Sequence, residues 1–409
     1  MRLLRALMIL AFVGAACGKA RVVGTSAANA PTWRSFNCDS AYGSPPETSD
    51  QLRVGLAGWK TDFAKHCVPL SEIASGGPPR DGIPPLDRPR FYAAARAEPW
   101  LRPQEPVIAV TEGDTARAYP LQILIWHEIV NDTIAGRPIV VTFCPLCNTS
   151  LVFDRRVAGR ELTFGTTGNL RYSDLVMWDR QTESWWQQAT GEAIVGELTA
   201  ARLPRVRSAV FSFEEFRAAH PNGEVLSREG ADDEMAQKGS GRRNYGSNPY
   251  VGYDRADTPP IVAFWGERAI DTRLPPKARV AVATFAEPPV AYVTDDITGA
   301  FAKNDRIAGR HVVLLYLDGV ASPLDTPATS AGADTGQAIF YDAAVDGRML
   351  TFRPSGRAFT DEQTDSRWSV SGIAIAGPLK GRRLAMLDHE FTYWFIWSAF
   401  RPDTEIRSR

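Results

Sequence analysis

The sequence predicts a mainly β protein of the α+β type: two tandem related β-rich units, sandwich-like or barrel-like, with short helices and a loop-rich N-terminal segment. An internal duplication is the first observation behind this reading. Asn131, Asp132, Ile134, Ala135, Gly136, Arg137 and Val140 recur 173 places later as Asn304, Asp305, Ile307, Ala308, Gly309, Arg310 and Val313. Further words recur in the same order: Gly159, Arg160, Leu162, Thr163 and Phe164 at a shift of 188, Thr182, Ser184 and Trp186 at 182, and Gly196, Leu198, Leu203, Pro221 and Glu224 at 181. The second observation is a series of short β-branched and aromatic runs separated by Glu-Gly-Asp, Ala-Gly-Arg and similar turns, the signature of antiparallel hairpins. The third is that neither unit shows the alternation of strand and long helix that builds a parallel sheet.

In chain order, Arg2 and Arg5 precede an apolar run over 6–16 that ends in Gly14, Ala15, Ala16 and Cys17. Small residues leading into a cysteine predict a lipoprotein signal peptide over 1–17, with Cys17 the lipidated first residue of the mature chain and the protein anchored to the cell envelope. Residues 18–104 read as a tether and loop-rich segment, stapled by a disulfide between Cys38 and Cys67. The first unit is predicted over 105–225, with strands at "PVIAVTE", "ARAYPL", "RPIVVTF", "TSLVFDRR", "RELTF" and "DLVMW". A helical turn is expected at 121–127. A second helix follows Ser212, because Glu215 three residues on completes a capping box and Pro221 closes the run. Residues 226–277, rich in Tyr, Pro and Gly, read as an ordered connection, since its aromatics need surface to bury. The second unit is predicted over 278–409.

Charge narrows the functional classes. With 46 Lys and Arg against 47 Asp and Glu and a net charge of −1, the chain lacks the basic excess that drives generic nucleic-acid binding, so no nucleic-acid partner is expected. No later run approaches the ~20 apolar residues of a spanning helix, which leaves the lipid as the expected membrane contact. A phosphate-cradling glycine loop, a nucleophile elbow and a metalloprotease histidine pair are all missing.

The duplication also acts as an internal control, because residues that serve only the shared scaffold should recur. Cys144 and Cys147, in the word Cys144-Pro145-Leu146-Cys147, do not recur: the second copy has Leu317 and Val320, followed by an insertion. His127 and Glu128 align with Ala300 and Phe301, and the segment carrying Arg171, Asp174 and Asp179 is shortened in the second copy. One asymmetric site in the first unit is therefore expected, with Cys144, Cys147, His127, Asp174 and Arg171 as its catalytic candidates. Two cysteines at this spacing can form an inert disulfide, work as a redox dithiol, hold Cu or Zn together with His127, or supply a Cys-His nucleophile. The spacing leaves these four open. Trp178, Trp185 and Trp186 can stack a planar ligand, although Trp186 recurs as Trp368 and so reads as core. The rival to a chemical site is a non-enzymatic envelope scaffold or ligand-binding protein, with the cysteines as a staple and the aromatic loop 245–265 as its contact surface.

The words "GWKTDFAKH", "SGGPPRDGIPPLD", "HEIVND", "FCPLCNTSLVFDR", "SDLVMWDRQTESWWQQ", "NPYVGYD" and "DTRLPPKARV" together resemble the prokaryotic family known as domain of unknown function 3179. The resemblance spans about residues 55–405. It implies no activity, substrate or cofactor. Cys144 and Cys147 match the family word, whereas Cys67 stands where the resemblance implies Ser.

Overall fold

The computed structural model describes residues 56–256, 258–265 and 269–408. Within them the duplication is visible strand by strand. The first unit holds a sheet in the order Ser208–Ser212, Pro106–Glu112, Thr115–Pro120, Glu224–Leu226, and the second repeats it as His389–Tyr393, Arg279–Ala283, Val290–Val293, Glu405–Ile406. These strands pair antiparallel except where Thr115–Pro120 meets Glu224–Leu226 and Val290–Val293 meets Glu405–Ile406, which are parallel in both units. The meander Ile129–Ile134, Arg137–Cys144, Thr149–Asp154 recurs as Ala300–Ile307, Arg310–Leu317, Gln337–Asp342. A four-strand run from Phe164–Arg171 to Glu192–Val195 recurs from Phe352–Ser355 to Ala374–Ala376, with a bulge at the same place, beside Trp186 and beside Trp368. The mainly β, two-unit architecture is thus as the sequence predicts.

The same buried polar contacts hold both copies. Asn131 and Phe164 exchange two hydrogen bonds, as do Asn304 and Phe352. Tyr119 donates to Asp132 where Tyr292 donates to Asp305. The two units share apolar cores: one cluster unites Val107, Ala109 and Phe211 with Val313, Leu315 and Tyr341.

Among the described residues, four α-helices punctuate the strands. α1 (Leu121–His127) follows Pro120, whose fixed φ suits a helix start. α2 (Phe213–Ala219) is capped by Ser212, whose hydroxyl accepts from Glu215 N. Only half of the predicted capping box forms, because Ser212 N donates to Gln337 of the second unit rather than to the Glu215 carboxylate. α3 (Arg228–Gln237) lies in the connection and was not anticipated; Ser227 caps it by accepting from Gly230 N. α4 (Trp394–Phe400) is buried along its whole length. No helix among the described residues is long and apolar enough to cross a membrane.

The described part of the N-terminal segment is more than a tether. Ile73–Ser75 adds an edge strand to the strand Phe164–Arg171, and Phe91–Ala93 pairs with Glu224–Leu226. Cys67 is disulfide-bonded, and its amide donates to Ile194 O. Its expected partner Cys38, the expected lipidation site Cys17 and the whole signal peptide lie outside the described residues.

Candidate functional site

Cys144 ends a strand and Pro145 opens a tight turn, with Cys147 N donating to Cys144 O and Asn148 N to Pro145 O. Proline presets the second turn position, so the fold brings the two side chains to one side of the turn. Their sulfurs lie 3.1 Å apart, and both thiols are free and buried. Opposite them is the two-residue hairpin loop Tyr172 and Ser173, with φ of 54° and 66°, the left-handed pair that a tight hairpin requires. This conformation turns the Ser173 carbonyl toward the sulfurs, 3.2 Å from Cys147 Sγ and 3.7 Å from Cys144 Sγ. The next residue, Asp174, accepts from Cys147 Sγ through Oδ1 at 3.4 Å.

Asp174 is held by its other oxygen. Oδ2 accepts from Gln187 Nε2 and from Ala189 N, which leaves Oδ1 for the sulfur. Gln187 is steadied in turn by Arg171, whose guanidinium also pairs with Glu72 at 2.6 Å and lies over the Tyr172 ring. Arg171 therefore supports the site at one remove and does not reach the sulfurs. The second unit closes the back: Thr392 Oγ1 donates to Cys147 O, and Phe395, Ile396 and Phe400 of α4 pack in the same apolar cluster as the cysteines.

Electrostatics keep the two thiols protonated. Burial pushes the Cys144 thiol up and the Cys147 thiol well up, and the Asp174 carboxyl adds to both shifts. Burial also raises Asp174 itself to about 6. A carboxyl near that value is ionised at neutral pH and can take a proton from Cys147. Cys144, Cys147 and Asp174 are the one group of three metal-type ligands with donor atoms within 4.8 Å of one another among the described residues.

His127 is not part of that group. Its Nδ1 is paired with Pro84 O and its Nε2 with the Tyr245 hydroxyl, at 2.8 Å and 2.7 Å. Burial drops its pKa to about 4, so it stays neutral. Both ring nitrogens being engaged, the structure gives it a packing role at the end of α1 and no free nitrogen for a metal or a nucleophile. Asp179 likewise belongs to the scaffold: it accepts from Thr182 N, Thr182 Oγ1 and Trp186 Nε1, and Asp361 accepts the same three bonds from Thr364 and Trp368. Trp178 and Trp185 are covered by Trp59 and Phe63, so they present no open stacking face.

The residue that sequence reasoning passed over is Glu128. It ends α1 with φ of 56°, a conformation unusual for a residue with a side chain. The residue is 7 % exposed, and no described residue hydrogen-bonds to its carboxyl. Burial, with a smaller push from Asp174, raises it to about 8. It lines a cavity of about 640 Å³ whose wall also includes Leu146, between the two cysteines, and Leu175, next to Asp174. The non-recurrence that pointed to His127 applied equally to its neighbour.

Neither a search of curated proteins nor one of solved structures finds a match to this chain. The model of one protein family, described as "Protein of unknown function (DUF3179)", matches residues 80–404, a stretch that holds the cysteine turn, Asp174, Glu128, the first unit and all but the last strand of the second. The chain belongs to that family.

Proposed function

We propose that this is an exported, lipid-anchored envelope protein whose Cys144-Pro145-Leu146-Cys147 turn is a thiol/disulfide redox site. The observation that carries the redox reading is the contact of two free sulfurs at 3.1 Å beside a carboxylate that accepts from one of them. A partner disulfide would supply the oxidant. Cys144, a thiol at rest, attacks one of its sulfurs as its proton passes to the other, which leaves as a thiol. Cys147 then gives its proton to Asp174 and attacks Cys144 Sγ, which closes the internal disulfide and releases the second partner sulfur as a thiolate. Two electrons pass to the partner, which leaves as a dithiol after taking up two protons in all. The export and lipid anchor rest on the leader sequence and Cys17.

Equilibration of the purified protein in thiol/disulfide buffers, with alkylation and mass analysis, tests the reading. The expected result is reversible closure of Cys144 and Cys147 at a potential above about −300 mV, the region where exchangeable disulfides lie. A pair that stays reduced throughout, or a bridge that resists every buffer, would place the cysteines in an inert scaffold.

A second reading is favoured by the grouping of Cys144, Cys147 and Asp174. Two thiolates and a carboxylate suit Zn or, through their softness, Cu. Near-stoichiometric metal in the purified protein, lost in both Cys144→Ser and Asp174→Asn, would select it over the redox site.

A further inference from the structure

The cavity beside the cysteines has a chemistry of its own. Besides Glu128, Leu146 and Leu175, its walls come from the turn at 76–83, the strand Phe164–Arg171, and the parts of the connection at 249–253 and 258–264. Leu170, Leu175, Ile261 and Phe264 make it largely apolar, and Tyr250 and Tyr253 add aromatic surface. Against this lining stand three polar heads that have no hydrogen-bond partner among the described residues, the Glu128 carboxyl, the Asn169 side-chain amide and the Tyr250 hydroxyl; residues Glu128 and Asn169 are each only 7 % exposed. No Lys or Arg lines the cavity among the described residues.

A buried carboxyl without a partner is costly, and natural interiors pair such groups unless a ligand does so. Here the pairing group has to come from the occupant. An anion finds no Lys or Arg in the described lining to neutralise it, and a neutral hydrocarbon leaves the polar heads unsatisfied. A cation answers the carboxyl, and the Tyr250 ring favours an organic ammonium, because the face of a ring attracts positive charge, whereas the Tyr253 ring already carries Lys277 Nζ at 3.5 Å. At about 640 Å³ the space suits a small organic molecule rather than a bare metal ion. The second copy offers a control once more, since Glu128 aligns with Phe301 and the shared scaffold has no need of the charge.

We infer that this cavity is a binding site for a small organic ammonium compound with an apolar body, its cation paired with Glu128 and its polar edge with Asn169. The inference is independent of whether the cysteines are redox-active. Calorimetric titration of the full-length chain with 2-phenylethylamine, and with the neutral 2-phenylethanol, tests it. The amine is expected to bind saturably and at least about tenfold more tightly than the alcohol, the size of one charge-assisted contact. In Glu128→Gln its affinity is expected to fall to that of the alcohol. Should that variant not fold, the comparison of the two probes on the unaltered protein still decides. Equal affinity for amine and alcohol, undiminished amine binding in folded Glu128→Gln, or no saturable amine binding to the unaltered protein overturns the inference.

Discussion

Asp174 and Asp179 open and close one strand, both fully buried, yet they differ in what they hold. Asp179 spends its oxygens on Thr182 and Trp186, and Asp361 repeats the pattern in the second unit. Asparagine at either place would turn an amide N–H toward groups that are themselves donors. Asp179→Asn and Asp361→Asn are each expected to cost about 1–3 kcal/mol in urea unfolding. A large loss at one position with none at the other would break the equivalence of the two copies. Asp174 acts on chemistry as well as packing, because its carboxyl is one of the causes that lift the Cys147 thiol. Asp174→Asn should therefore move the pH profile of Cys147 alkylation to lower pH, and an unmoved profile would show that carboxyl and thiol do not interact. At this scale the sequence was informative where chemistry and non-recurrence coincide, as at Cys144, Cys147 and Asp174. It misled at His127, whose imidazole suggested a ligand while the adjacent Glu128 looked like ordinary surface charge. What singles out Glu128 is burial without a partner, a property of the folded chain.

Elements were legible in proportion to how locally they are encoded. α1 and α2 carry their own start signals in Pro120 and in Ser212 with Glu215, and both form where those signals stand. α3 has only a weak amphipathic pattern, and its Ser227 cap is followed by Gly230 rather than by a Glu or Gln that would complete a box. The edge strands Ile73–Ser75 and Phe91–Ala93 are three residues each, too short for alternation to show, and they exist because a partner strand is present. One such long-range fit has a sharp local requirement. The turn at 78–82 docks on the strand Phe164–Arg171 at its bulge, with Asp81 N donating to Thr166 O and Gly76 N to Gly168 O. At Gly168, with φ of 76°, a Cβ would come within 1.9 Å of Pro78 O. That contact is with backbone and cannot be relieved by a rotamer change. Gly168→Ala is expected to lift the turn from the strand, cost more than about 2 kcal/mol and increase proteolysis at 76–83. A variant as stable and as protease-resistant as the parent would show that the turn is not held there.

Over the whole molecule, the buried ionisable groups of both units set how stability changes with pH. Burial raises Glu128 from 4.5 to about 8, Glu390 from 4.5 to about 7 and Asp174 from 3.8 to about 6. Each keeps a proton in the folded state that the unfolded chain has already released, so each withdraws stability as pH rises across its own interval. His127, His220 and His389 are lowered from 6.5 to about 4 and act in the opposite sense: below 6.5 the unfolded chain takes up protons that the folded one refuses. Between about pH 4.5 and 6 the two sets oppose one another, and the unfolding free energy should change little on their account. Above pH 6.5 the histidines are neutral in both states and only carboxyls remain, first Glu390 with Glu128 and then Glu128 alone. The unfolding free energy should fall between pH 6.5 and 8, with Glu128 contributing at most about 1.4 kcal/mol per pH unit. Glu128→Gln should flatten the slope from pH 7 to 8 and, between about pH 4.5 and 6, leave the histidines less opposed, so that stability rises more steeply with pH there. Urea titrations at half-unit steps measure this directly. A slope from pH 7 to 8 that survives the substitution would show that a group other than Glu128 sets it.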